Sequence, residues 1–109
     1  MPKPAKEVFI SIELEAHVSS LEISHRHRRW INEMAENLLQ DILVGERIKQ
    51  SLIPRHYIEK YNVSNLYRYA HPEGYRSTYT LVEFSEYGVC PVVLDLMSHK
   101  EYERMFGYV

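Results

Sequence analysis

The sequence predicts an α+β fold: one antiparallel-rich sheet in the order β-α-α-β-β-β, two helices packed on one face, and a short C-terminal helical tail. Three observations lead there. The apolar residues alternate with a period of two near the start, recur at three- and four-residue steps through residues 19–43, and return to a period of two between residues 66 and 97. Two turn-forming clusters, His71-Pro72-Glu73-Gly74 and Ser85-Glu86-Tyr87-Gly88, divide that last stretch. A length of 109 residues, with 45% hydrophobic and 26% charged residues, suits one domain spanning 1–109 with a core of its own.

The elements follow in order. Val8, Ile10, Ile12 and Leu14 alternate with Phe9, Ser11, Glu13 and Glu15, the pattern of a half-buried first strand. Ser19-Ser20-Leu21-Glu22 reads as a capping box. Beyond it, Trp30, Ile31, Met34, Ala35, Leu38, Leu39, Ile42 and Leu43 form the wide apolar stripe of an amphipathic helix that Gly45 stops. Pro54 suits the first turn of a short helix through Arg55–Lys60. Leu66–Ala70, Tyr75–Phe84 and Val89–Met97 read as a three-stranded meander, to which the first strand must join to pair its backbone. Ser98–Tyr108 can add one or two helical turns before Gly107.

Composition excludes several classes. No stretch approaches the ~20 apolar residues of a membrane span. The opening MPKPAKEV lacks a secretory apolar run, and the one cysteine, Cys90, can neither staple a loop nor supply a zinc pair, so a cytoplasmic location is expected. The four glycines are scattered and make no phosphate-cradling loop. The formal net charge is −2, yet it is uneven: residues 1–46 carry 5 basic and 8 acidic groups, residues 47–76 carry 6 and 2, and residues 77–109 carry 2 and 5. The middle third is thus the candidate for meeting phosphate.

Few residues carry chemistry on their own. His25 and His27, two apart on a helix, would point ~200° from each other, which suits a solvated basic face better than a metal site. All nine tyrosines fall at or after residue 57, where they serve equally as strand residues and as stacking platforms. Arg68 and Arg76 lie on the two strands flanking His71-Pro72-Glu73. If that turn is the hairpin tip, they either face each other, suggesting an anion site, or fall on opposite faces after a one-residue slip. Arg76 would then share a polar face with Thr78 and Thr80, open to solvent or ligand. His99, at the end of the last strand and three residues before Tyr102, is the side chain most readily poised for proton transfer.

The run Leu66-Tyr67-Arg68-Tyr69, then Gly74-Tyr75-Arg76, Tyr79, and the closing Val93-Leu94-Asp95-Leu96 with His99-Lys100 resembles the RelE/ParE superfamily of type II toxin–antitoxin toxins. The resemblance implies a RelE/ParE-like domain that cuts messenger RNA on the ribosome without a metal or other cofactor, inhibits translation, and is silenced by an antitoxin helix lying in an apolar groove. By position, Arg76 would stabilise the reacting phosphate and Arg68 would be a second clamp. His99 and Lys100 would be the basic pair closing the last strand, and Tyr102 or Tyr108 the stacking or proton-donating tyrosine. The alternative is a catalytically silent member that binds a protein, or an inhibitor of a protein target such as gyrase. The oligomeric state stays open, a homodimer included.

Overall fold

A computed structural model of the protein describes residues 1–107. Its elements are β1 (Phe9–Ile10), α1 (Ile12–Ser19), α2 (Arg26–Gln40), β2 (Glu46–Arg47), α3 (Arg55–Tyr61), β3 (Tyr67–Ala70), β4 (Arg76–Phe84), β5 (Gly88–Val93) and α4 (His99–Phe106), with single 3-10 turns at Gln50–Leu52 and Pro72–Gly74. The fold is α+β, and the five strands form one mixed sheet in the order β1-β5-β4-β3-β2. The β3–β4–β5 meander is antiparallel, as its turn residues predict, and β2 adds antiparallel to β3. β1 pairs in parallel with β5, Phe9 beside Val92 and Ile10 beside Val93.

Two expectations fail in the first quarter of the chain. The alternation over Val8–Leu14 is not one strand: β1 stops at Ile10, and Ser11 caps a helix by accepting a hydrogen bond from the Leu14 amide at 3.1 Å. Leu14 and Val18, four apart, are the buried face of α1, while Ile12 is exposed. The expected capping box at Ser19–Glu22 is absent; those residues end α1 and turn into α2, whose N-cap is His25. α2 buries Trp30, Ile31, Met34 and Leu38 at the expected steps, but it ends at Gln40 instead of running to Gly45. A capping box does form at the other end of the chain, where Ser98 and Glu101 exchange hydrogen bonds at the start of α4. Pro54 is the N-cap of α3, close to its expected place.

The helices do not share one face, which corrects the expected layering. Leu14, Val18, Ile31, Met34 and Leu38 of α1 and α2 pack on Tyr67, Tyr79 and Val93. Ile53, Tyr57, Val63, Leu66 and Leu94 form a second core, joined by Met105 and Phe106 of α4. Tyr67 and Leu66, like Val93 and Leu94, are neighbours in the chain, so alternation sends them to opposite sides of the sheet. The sheet is therefore sandwiched between α1/α2 and α3/α4. None of the described helices is long and apolar enough to cross a membrane.

Gly45 owes its identity to a close approach. A Cβ there would lie 2.7 Å from the Arg68 carbonyl oxygen and 2.7 Å from Tyr79 Cε1. The Gly45 amide donates to the Tyr79 hydroxyl at 2.9 Å, and that hydroxyl donates in turn to the Ile42 carbonyl at 2.9 Å. This buried tie fixes β2 against the sheet and so places Glu46.

Candidate functional site

The register of the central hairpin decides where the arginines go. The turn is longer than its three-residue tip suggests, because the His71 amide donates to the Tyr75 carbonyl at 2.9 Å and Pro72–Gly74 form a 3-10 turn between them. Arg68 consequently pairs with Thr78, and Ala70 with Arg76. Neither expected register occurs. The two arginines still share a face, set diagonally, since residues two apart on a strand point the same way. That face is the one covered by α3 and α4. Thr78 and Thr80 beside them are buried, not open to solvent: Thr78 Oγ1 donates to Asp95 and Thr80 Oγ1 donates to the Asn65 carbonyl.

A cavity of about 740 Å³ opens over this face, lined by Val44, Gly45, Glu46, Arg68, Tyr69, Ala70, Arg76, His99, Tyr102 and Glu103. Four of the five expected site residues meet there. Lys100 does not; it is exposed and lies off the cavity wall. Tyr108 lies outside the described residues.

Each side chain has a distinct setting. The Arg68 guanidinium is ion-paired with Glu46, its cross-strand neighbour, and donates to the Tyr102 hydroxyl at 2.8 Å. Tyr102 is buried and stacks on Phe106 with ring centroids 4.4 Å apart. Arg76 donates to the Tyr75 carbonyl at 3.1 Å and forms no ion pair among the described residues. His99 sits over Gly74, where an added Cβ would come within 3.3 Å of the His99 Cβ, and its Nε2 lies 3.2 Å from Glu103 one turn along α4. The cavity thus sets two guanidiniums and an imidazole against two carboxylates, with Arg76 as the cation left to meet an anion.

Behind the hairpin lies an aromatic cluster that the sequence did not suggest. The His25 and His27 rings are 4.9 Å apart and nearly perpendicular, because His25 is the cap and not part of the helix. The expected divergence of those two side chains is therefore corrected. His27 also contacts His17, Trp30 and Tyr75, and Trp30 stacks on His71 at 6.0 Å. Burial first, then the charges of His25 and Arg26, lower the His27 pKa. His71 shares a 2.7 Å hydrogen bond with Ser77, and burial, reinforced by Arg76, pushes its pKa down to about 4. The described residues include no group of three His, Cys, Asp or Glu side chains placed to hold a metal ion.

Four of the eight described tyrosines belong to the core. Tyr57, Tyr67, Tyr79 and Tyr102 are buried, and Cys90 is a buried free thiol. Glu46 and Glu103, which line the cavity, and Asp95, which accepts from Thr78 and Tyr57, were given no role by the sequence. The spacing of Glu103 four residues after His99 was a readable signal. Comparison of the chain with protein-family models, with curated proteins and with solved structures yields no match. The functional reading rests on the geometry of the cavity.

Proposed function

We propose that this cavity is the active site of a metal-free endoribonuclease of the RelE/ParE toxin type, which cuts messenger RNA on the ribosome and so inhibits translation. The observation that supports the reading is Arg76, a guanidinium without a carboxylate partner among the described residues, in a cavity that also holds Arg68 and His99. In the reaction a ribose 2′-oxygen bonds to the adjacent phosphorus while the bond to the next nucleotide's 5′-oxygen breaks. The products are a 2′,3′-cyclic phosphate and a free 5′-hydroxyl. Negative charge grows on the phosphate oxygens in the transition state, where Arg76 supplies the compensating charge. Protonated His99 gives its proton to the departing 5′-oxygen, and solvent takes the proton of the attacking hydroxyl. Arg68, steadied by Tyr102, holds the phosphate from the β3 side.

This reading carries its partners and place with it. The substrate is messenger RNA in the decoding site, and the cell compartment is the cytoplasm. Leu39, Leu43 and Val44 are exposed at the end of α2 and beyond it, with Val44 on the cavity wall, and provide the apolar surface on which an antitoxin helix would lie.

The test is induced expression in a bacterial host of the wild type, Arg76→Ala and His99→Ala, with primer extension on a cellular messenger RNA. Growth arrest with new RNA ends, lost in Arg76→Ala, is the expected result; normal growth with folded wild-type protein and intact RNA would sink the reading. One observation favours the silent or protein-binding alternative, namely that Glu46 already occupies Arg68. Arrest without new RNA ends would support that alternative.

A further inference from the structure

The path from β5 to α4 contains one residue more than the strand it follows. The Leu94 amide donates to the Thr78 carbonyl at 2.9 Å, and Met97 exchanges two hydrogen bonds of 2.8 Å with Arg76. From Thr78 to Arg76 is two steps, whereas from Leu94 to Met97 is three, so the connector bulges against β4.

A bulge leaves a ladder group without its usual acceptor. Here the Leu94 carbonyl, which would ordinarily take the Thr78 amide, instead accepts from Ser11 Oγ at 2.7 Å. The Asp95 side chain replaces it: Oδ1 accepts from the Thr78 amide and from Thr78 Oγ1, both at 2.9 Å, and Oδ2 accepts from the Tyr57 hydroxyl at 2.6 Å. Thr78 and Tyr57 are fully buried, so an unmet amide or hydroxyl there would be costly. Three hydrogen bonds from two elements, β4 and α3, thus converge on one carboxylate immediately before Met97 re-enters the ladder beside Arg76 and Ser98 caps α4.

We propose that Asp95 is the positioning residue of the cavity: by closing the bulge with its carboxylate it fixes the start of α4, and hence the distance between His99 and Arg76. The inference deepens the ribonuclease reading for its catalytic consequence and rests on geometry alone for its structural one. Displacing α4 moves His99 and Tyr102 together while leaving Arg76 on its strand. RNA binding through Arg76, and through Arg68 still held on β3 by Glu46, is then largely kept and the proton-transfer geometry is lost, and a misplacement of ~1 Å lowers turnover by about 100-fold.

The experiment compares the wild type, Asp95→Asn, Asp95→Ala and, as a control for destabilisation alone, Leu38→Ala in the core beneath α2. The first readout is the NMR cross-peak between the Gly74 α-protons and the His99 β-protons; the second is kcat and KM for messenger RNA cleavage on ribosomes. Asp95→Ala is expected to lose the cross-peak and to drop in kcat with KM little changed. Asp95→Asn, which keeps an acceptor for Thr78, is expected to recover both, and Leu38→Ala to retain both. A cross-peak that persists in folded Asp95→Ala, or is lost equally in Leu38→Ala, would overturn the positioning role. Absence of cleavage by the wild type would overturn the ribonuclease reading only, since the cross-peak still decides the position of His99. If Asp95→Ala does not fold, Thr78→Val and Tyr57→Phe, each removing one donor to the carboxylate, carry the same comparison.

Discussion

Glu46 faces Arg68 across the β2–β3 ladder and closes an ion pair onto its guanidinium. An anionic ligand entering the cavity therefore competes with a carboxylate already in place. Glu46→Gln keeps the strand and removes that competitor. We expect inorganic phosphate, titrated by NMR, to bind about 5-fold tighter to the variant at low salt, because exposed pairs are worth up to ~1 kcal/mol. The gain should shrink as ionic strength rises. Unchanged affinity would show that Arg68 does not meet the anion.

Arg76 supplies charge and a planar pair of donors, and lysine supplies only the first. Arg76→Ala is expected to lower RNA cleavage by at least ~100-fold, the usual loss on removing one oxyanion donor. Arg76→Lys should fall between the two, because a point charge cannot reproduce bidentate contact. Thermal denaturation should find both variants close to the wild type in stability, since among the described residues the Arg76 side chain donates to the Tyr75 carbonyl and forms no ion pair.

His71 makes stability depend on pH. Its folded pKa is about 4 against an ordinary 6.5, with burial the main cause, so the fold favours the neutral ring. The unfolded chain takes up the proton first as pH falls. The stability gained from the neutral ring is therefore complete above about 6.5, declines between 6.5 and about 4, and is gone below that range. Urea denaturation at steps between pH 7.5 and pH 4 should register a loss on the order of 2 kcal/mol. His71→Asn should flatten that profile while lowering stability at neutral pH, where the bond to Ser77 is disturbed.

Gly45→Ala tests the tie between β2 and β4. The added methyl meets a backbone carbonyl and a buried ring, neither of which can withdraw freely. We expect a loss of about 2–3 kcal/mol from overpacking, seen as a Tm roughly 10 °C lower. The same variant should weaken phosphate binding, because Gly45 and Glu46 line the cavity. A neutral effect would mean that β2 is free to shift.

The legible parts of this molecule were those with local signals. Pro54, the two turn clusters and the alternation from Leu66 onward marked α3 and the meander. The hairpin arginines and the histidine after the last strand pointed to Arg68, Arg76 and His99, and the family resemblance added Lys100 and Tyr102; all but Lys100 converge on the cavity. What was not legible depended on contacts distant in sequence. Val8–Leu14 alternates as a strand should, yet Ser11 is drawn to Leu94 and starts a helix, turning Leu14 and Val18 inward. The arginine register depended on the hydrogen bond between His71 and Tyr75, which lengthens the turn by a step no composition rule supplies. β2, and with it Glu46, is two residues long and has no periodicity to read. The division of helices between the faces of the sheet was hidden because Leu66 and Tyr67 are both apolar and serve different cores.

The parallel pairing of β1 with β5 has a consequence for how the protein is made. Ser11 and Leu94, which lock that pairing, are 83 residues apart. At ~5–20 residues per second the emerging chain spends on the order of ten seconds with Phe9 and Ile10 unpaired. The bulge, α4 and His99 follow only after β5, so the cavity is among the last features to assemble. On the reading proposed above, a nascent chain is harmless to the ribosome that synthesises it until His99 has emerged and joined Arg76 in the cavity.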